Sequence, residues 1–261
     1  MSDVFTMLGA SFSLVMLLMG ALWVVYLFQR NAGIVDIGWG IGFILASWSY
    51  FFLGSGDFWK MAVMTSMVTV WAVRLVSHIY MRYAADKEDP RYTRMRTRWG
   101  GDPTDMLFLM MFIFQGVLII VISIPFFLVG FGSYSEWTRW EGVGIVIWLA
   151  GVAGEAYADS QLTAFNKDPE NKGKVCQKGL WRLSRHPNYF FEFVVWIGFF
   201  LFALPSYGGV FAVVSPAVVF LLLTRVSGIP LAEEQSLESK GDLYREYQQT
   251  TSSFIPWFPE K

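Results

Sequence analysis

GLWRLSRHPNYFFEFVVWIG, residues 179–198, passes from a polar, basic segment into an apolar helix within a few positions, and the rest of the chain is read outward from that junction. Pro187 suits the first turn of a helix, where a missing N–H costs nothing and a fixed φ is already helical, so the helix starts near Pro187. Arg185 and His186 then stand just ahead of the free N–H groups of the first turn. There the positive end of the helix dipole favours an anion such as a phosphate or carboxylate. Asn188 and Glu192 share one helix face a turn inside that mouth. A glutamate at membrane depth is costly, which marks it as a functional candidate. Taken singly, Arg185, His186 and Tyr189 also fit an interfacial belt on an ordinary membrane helix. Arg, His, Asn and Glu together at one helix mouth favour a binding site.

Hydrophobic residues make up 54% of the 261-residue chain and charged residues 16%, the balance of a membrane protein. The net charge of -1 hides strong segregation along the sequence, and no nucleic-acid partner is expected. One cysteine, Cys176, and two distant histidines, His78 and His186, exclude an internal disulfide framework and offer no metal-ligand spacing. The N-terminus carries Asp3 where a cleaved signal would be basic. The apolar run that follows is long enough to span a bilayer and is expected to be a retained helix.

Stretches able to cross about 30 Å of hydrocarbon lie near residues 5–28, 34–53, 58–79, 106–129, 143–158, 189–204 and 209–226. The expected fold is all-α: one integral-membrane domain over residues 1–261, a bundle of about seven transmembrane helices with a cytoplasmic amphipathic helix over 231–247. Lys and Arg gather at Arg30, in 82–98, in 167–185 and in 225–261, whereas the alternate loops keep only Lys60 and Arg139. The positive-inside rule then puts the N-terminus outside and the C-terminus in the cytoplasm, in what is expected to be a bacterial inner membrane.

Polar residues inside the spans are few. Asp36 opens the second; Arg74 and His78 lie a turn apart on the third; Glu155 and Asp159 lie a turn apart on the fifth. Either Asp36 or Glu155 neutralises Arg74 between helices, or these groups face a cavity. GWGIG at 38–42 and AGVAG at 150–154 carry the small residues that let membrane helices approach closely. The loop SQLTAFNKDPENKGKVCQKGLWRLSRHPNY at 160–189 sets Asn166, Lys167, Lys172, Lys174, Lys178, Arg182 and Arg185 among Phe165, Trp181 and Tyr189. Cations neutralise phosphates and flat rings stack on bases, although a lipid-facing basic loop has the same lysines. GxGxxG is absent, which excludes a soluble dinucleotide domain. In the tail, Pro230 breaks the last span, and FIPWF at 254–258 can return to the interface as an aromatic anchor, letting the tail cover the cytoplasmic mouth.

These residues together resemble the steroid 5-alpha-reductase-like family of membrane reductases, in its bacterial branch. The likeness runs through VDIGWGIGF at Val35, WAVRLVSHIYMR at Trp71, EDPRYTRMRTRWG at Glu88, EAYADSQLTAFNKDPENKGK at Glu155, GLWRLSRHPNYFFE at Gly179, RVSGIPLAEE at Arg225 and YREYQQTTSSFIPW at Tyr244. It implies an enzyme that binds NADPH from the cytosol and reduces an activated carbon–carbon double bond of a lipid, with a hydrophobic small-molecule substrate and no obligate protein partner. By motif, Asp159, Asn166, Lys167, Arg185, His186, Asn188, Tyr189, Glu192 and Tyr247 are the implied cofactor contacts. Phe191 stands where the RHPNYxGE pattern has a small residue. The Gln–Glu pair and the tyrosine that polarise a steroid ketone in the animal enzymes have no clear counterpart. Asp36 and Glu155 are candidates for the proton donor, with Arg74 as electrostatic partner. RHPxY followed by a late Glu–Glu and a Tyr-rich tail also resembles isoprenylcysteine carboxyl methyltransferases, whose donor is S-adenosylmethionine. The lysine-rich loop favours the phosphorylated dinucleotide.

Overall fold

The computed structural model describes residues 4–85, 88–100, 104–132 and 135–259, and within these it is helical without a strand. In order the helices are α1 Val4–Gln29, α2 Ile34–Leu53, α3 Phe58–Ala85, α4 Pro90–Trp99, α5 Thr104–Ile122, α6 Ile124–Phe131, α7 Arg139–Lys167, α8 Pro187–Ala203, α9 Val214–Leu221, α10 Ile229–Lys240 and α11 Asp242–Thr250. Among the described residues six runs are long and apolar enough to cross a membrane, and α8 is a shorter apolar helix of 17 residues. At 1.5 Å per residue α8 reaches about 25 Å, the lower limit for a span. Chain contacts divide the molecule into two compact units, Met1–Glu141 with Phe202–Ser215, and Gly142–Leu201 with Pro216–Lys261.

Three expected boundaries move, each for a local reason. The span expected over 106–129 breaks at Ser123, because Pro125 in the first turn of α6 cannot continue the hydrogen-bond ladder of α5. The span expected to end at 158 stays helical to Lys167. Leu162 and Phe165 extend it by packing on Trp181 and Cys176 in a small core of their own, so Asn166 and Lys167 lie on a last helical turn rather than in a loop. The tail helix expected over 231–247 is two helices, parted at Gly241, whose φ of 54° lies in the left-handed region.

In the first unit α2 lies among α1, α3, α5 and α6. Its glycines let it do so. A Cβ on Gly38 would stand 2.3 Å from Leu22 of α1, one on Gly40 2.5 Å from Val76 of α3, and one on Gly42 2.6 Å from Ile119 of α5. GWGIG therefore admits three neighbours at once, which is close packing in the sense expected of small residues in lipid. Lys60 is no free cation. It pairs with Glu141 at 2.6 Å with both side chains fully buried, and it donates to Glu136 O at 2.8 Å. Glu141 also accepts from the Thr138 N–H at 2.9 Å and from its hydroxyl, as expected of Thr-x-x-Glu at a helix start. A pair this buried repays its desolvation only with further hydrogen bonds, and Glu136 O and Thr138 supply them.

In the second unit the same close approach joins α7 to α8. A Cβ on Gly151 would meet Val195 N at 2.7 Å, and one on Gly198 would meet Trp148 N at 2.7 Å. The ring of Phe191 lies where a Cβ on Gly154 would stand, 2.3 Å away. The bulky residue in the RHPNYFFE stretch is thus accommodated by a glycine on the facing helix. Gly154→Ala is expected to destabilise the detergent-solubilised protein by about 1–3 kcal/mol through overpacking. Adding Phe191→Ala should remove that penalty, so the double variant melts no lower than Phe191→Ala alone. Strictly additive melting shifts contradict the packing.

Candidate functional site

The polar residues of the second unit converge on the chain just before α8. Two short helical turns, 169–171 and 179–182, carry the backbone from α7 to Leu183. Trp181 fixes that route: its ring is buried, and its Nε1 donates to Ala158 O of α7 at 2.9 Å. The tail then straps the segment from the other side. The Arg185 N–H donates to Ser252 O at 2.8 Å, the Trp257 N–H to Leu183 O at 2.8 Å and the Ser184 hydroxyl to Phe254 O at 2.9 Å. The Tyr247 hydroxyl donates to Trp181 O, and to Ser184 O at 3.2 Å. Burial drives the Tyr247 pKa far above its usual value, so the phenol keeps its proton and remains a donor.

Arg185 and His186 meet one carboxylate, Glu233 of α10. Arg185 Nε donates to Glu233 Oε1 at 2.7 Å, His186 Nε2 lies 3.3 Å from the same oxygen, and Gln248 Nε2 donates to Oε2 at 2.8 Å. Arg185 Nη1 is spent on the carbonyls of Gln248 and Thr251 at the end of α11, where the helix dipole is negative. Glu233 reaches this position because the last span does not run on regularly. Its turn at Leu222–Val226 is wide, and the N–H groups of Ser227 and Gly228 both return to Leu222 O, at 2.9 and 3.1 Å, before Pro230 opens α10.

The other expected contacts fall into two groups. Asn188 and Asp159 come together, the amide Nδ2 of Asn188 donating to Asp159 Oδ1 at 3.2 Å. Asn188 Oδ1 is buried without a partner among the described residues. Tyr189 stacks on His186 with ring centroids 5.4 Å apart. Glu192 accepts from Trp196 Nε1 at 2.8 Å, a turn further along α8, and Glu155 is buried on α7 a turn before Asp159. Asn166, Lys167, Lys172 and Lys174 are exposed. Cys176 is buried, and burial raises its pKa. Beside Arg185 a cavity of about 250 Å³ opens, lined by residues 248–253 with Trp257 and Phe258. Sites for whole ligands run to ~300–1,000 Å³, so this cavity is smaller than those.

Asp36 and Arg74 belong to the first unit. Asp36 accepts from Arg91 Nη2 at 2.9 Å and from the Tyr92 hydroxyl at 2.7 Å, both on α4. Arg74 is half-buried on α3. Of the basic run 82–98, read from the sequence as loop charge, residues 82–85 end α3, 86 and 87 lie outside the described residues, and 90–98 belong to α4, a helix capped by Asp89 and laced into the fold. Arg96 pairs with Glu88 at 2.6 Å, Glu88 accepts from the Ala32 N–H at 2.8 Å, and Arg30 pairs with Asp105 at 2.6 Å. Glu233, Gln248 and Ser184 are the site residues that sequence reasoning passed over. Only the late Glu–Glu of the methyltransferase resemblance pointed at the first of them.

Burial lowers the His186 pKa below its ordinary 6.5, against the pull of Glu233 and with the help of Arg185. The fold therefore holds a neutral imidazole, whereas the unfolded chain takes up a proton as pH falls through 6.5. Its contribution is full above that pH and is lost as pH falls toward the folded-state pKa. Between about pH 7.5 and about pH 5.5 the wild type should lose more melting temperature than His186→Gln. Equal losses contradict a depressed pKa.

A family model described as "Protein of unknown function (DUF1295)" matches residues 22–251. An uncharacterised protein of Schizosaccharomyces pombe is 27% identical over 267 residues, covering 90% of this chain and 75% of its own. A probable O-methyltransferase of Ustilaginoidea virens, ustE, is 40% identical over 53 residues, 20% of this chain and 18% of its own. No solved structure matches.

Proposed function

The chain belongs to the DUF1295 family, a steroid 5-alpha-reductase-like family of membrane proteins, and from that premise we propose that it is a membrane-embedded reductase. The reaction transfers a hydride from NADPH to an activated carbon–carbon double bond of a lipid or steroid-like enone. The observation that carries the reading is Asn188 Oδ1, a buried acceptor left open beside Asp159 at the first turn of α8. Buried polar atoms are nearly always satisfied, so an open one at a helix mouth supports a bound ligand that brings its own donor. A carboxamide or a ribose hydroxyl has such a donor.

The residues present fit the cofactor unevenly. Asn188, Asp159, His186, Tyr189 and Glu192 would hold its uncharged parts. Arg185 and Tyr247 are engaged with Glu233 and with the loop, so they shape the site. Asn166 and the exposed Lys167, Lys172 and Lys174 are left to meet phosphate charge, the 2′-phosphate above all. NADPH, when bound, supplies the hydride. The chain orients the reactants and excludes water. Buried Glu155 is the candidate proton donor, whereas Asp36 serves to hold α4 through Arg91 and Tyr92. The substrate comes from the bilayer, and the basic segments face the cytoplasm, where NADPH is made.

A second reading, an S-adenosylmethionine-dependent lipid methyltransferase, draws support from the pairing of Arg185 with Glu233. That pairing leaves little spare positive charge at the helix mouth, and a cationic donor without phosphate needs none. The 53-residue likeness to the probable O-methyltransferase points the same way. Calorimetry on detergent-purified protein separates the two. NADPH is expected to bind, and one of Lys167→Ala, Lys172→Ala and Lys174→Ala should weaken NADPH by roughly tenfold to a hundredfold while leaving NADH unchanged. Binding of S-adenosylmethionine in place of NADPH overturns the reductase reading.

A further inference from the structure

Glu233 receives three donors from two different parts of the second unit: Arg185 and His186 from the segment before α8, and Gln248 from α11. Its side chain is 16% exposed, and those of Arg185 and His186 are 10% and 7% exposed. The contacts make it more than a counter-charge. A neutral imidazole donates from one nitrogen and accepts at the other, and its tautomer is set by whichever hydrogen bond the surroundings offer. Glu233 Oε1 can only accept, so it selects the proton on Nε2 and leaves Nδ1 as the acceptor. Stacking of the imidazole on Tyr189 fixes the plane of the ring. The same oxygen takes Arg185 Nε, while Nη1 is tied to Gln248 O and Thr251 O, so the guanidinium cannot turn.

We propose that Glu233 is the positioning residue of the site, setting His186 in the Nε2–H tautomer and holding Arg185 against the tail so that both are preorganised for the bound cofactor. This rests on the cofactor reading above and goes beyond it, since the family likeness contains Glu233 but assigns it no part in setting the histidine tautomer. Preorganisation by a residue that touches no ligand acts on affinity through its neighbours. Removing it therefore leaves the ligand's own contacts in place while loosening their geometry.

The chain has two histidines, so ¹⁵N-histidine labelling gives two imidazoles, and His78→Gln assigns them. In the wild type without cofactor, His186 is expected as the Nε2–H tautomer. In Glu233→Ala it should become a tautomer mixture, with NADPH affinity down on the order of tenfold. Glu233→Gln keeps an acceptor oxygen and should restore the tautomer, yet its His186 should titrate lower than in the wild type because the carboxylate's attraction is gone. If Glu233→Ala does not fold, the Glu233→Gln titration carries the test. An unchanged tautomer in the alanine variant, or an unchanged titration in the glutamine variant, overturns the positioning role. Failure of the wild type to bind NADPH overturns the cofactor reading instead, and the tautomer result stands apart from it.

Discussion

Arg185 carries its charge into a setting that leaves 10% of its side chain exposed, and Glu233, 2.7 Å away, is the carboxylate that makes this tolerable. Neither charge could remain there alone, because an isolated ion in such surroundings costs several kcal/mol. Much of the second unit follows from satisfying that pair. The tail must lie along residues 183–185 for the carbonyls of Gln248 and Thr251 to reach the guanidinium. The last span must widen at Leu222–Val226 for α10 to bring Glu233 within reach. Tyr247 and Trp181 then close the loop from either side through hydrogen bonds to main-chain carbonyls. The site at the mouth of α8 is in this sense the outcome of an electrostatic requirement.

The first unit solves a different problem with different means. Apolar side chains gain nothing by leaving lipid for one another, so α2 is held by closeness, and its three glycines supply it. Its polar end is held by charge. Asp36, Arg91, Asp89, Glu88, Arg96, Arg30 and Asp105 form successive pairs around α4 and the start of α5, with Tyr92 buried among them. Burial, and then the charge of Asp36, push the Tyr92 pKa well above its usual value, so its hydroxyl stays a donor to that carboxylate. Positive charge that a topology count treats as loop decoration is, in α4, structural.

The helical class was legible because apolar runs of twenty residues have few other solutions, and Pro187 marked the start of α8 to the residue. The boundaries that moved were set by contacts between residues far apart in sequence. Nothing local in QLTAFNK announces that Leu162 and Phe165 will pack on Trp181. Asn188 and Asp159 stand out in the sequence as polar residues of two different spans, but nothing there joins them, and their 3.2 Å contact follows from the pairing of α7 with α8 through Gly151 and Gly154. Arg185 reads as an open anion site in the sequence because it stands just ahead of the free N–H groups that Pro187 implies for the first turn of α8. The carboxylate that occupies it lies 48 residues further on. Glu233 enters the sequence reading only as one of a late Glu–Glu pair, and a sequence cannot say which of two adjacent glutamates turns inward.

If the Arg185–Glu233 pair organises the second unit, its energy must be coupled, and a double-mutant cycle reads that coupling directly. Arg185→Ala, Glu233→Ala and the double variant, unfolded in the same detergent, should give a coupling of about 1.5 kcal/mol or more, as for buried charge pairs held by further hydrogen bonds. The exposed pair Arg245–Asp242, whose side chains are 70% and 88% exposed, serves as the control and should show none that can be measured. A coupling at Arg185–Glu233 no larger than at the control contradicts the account.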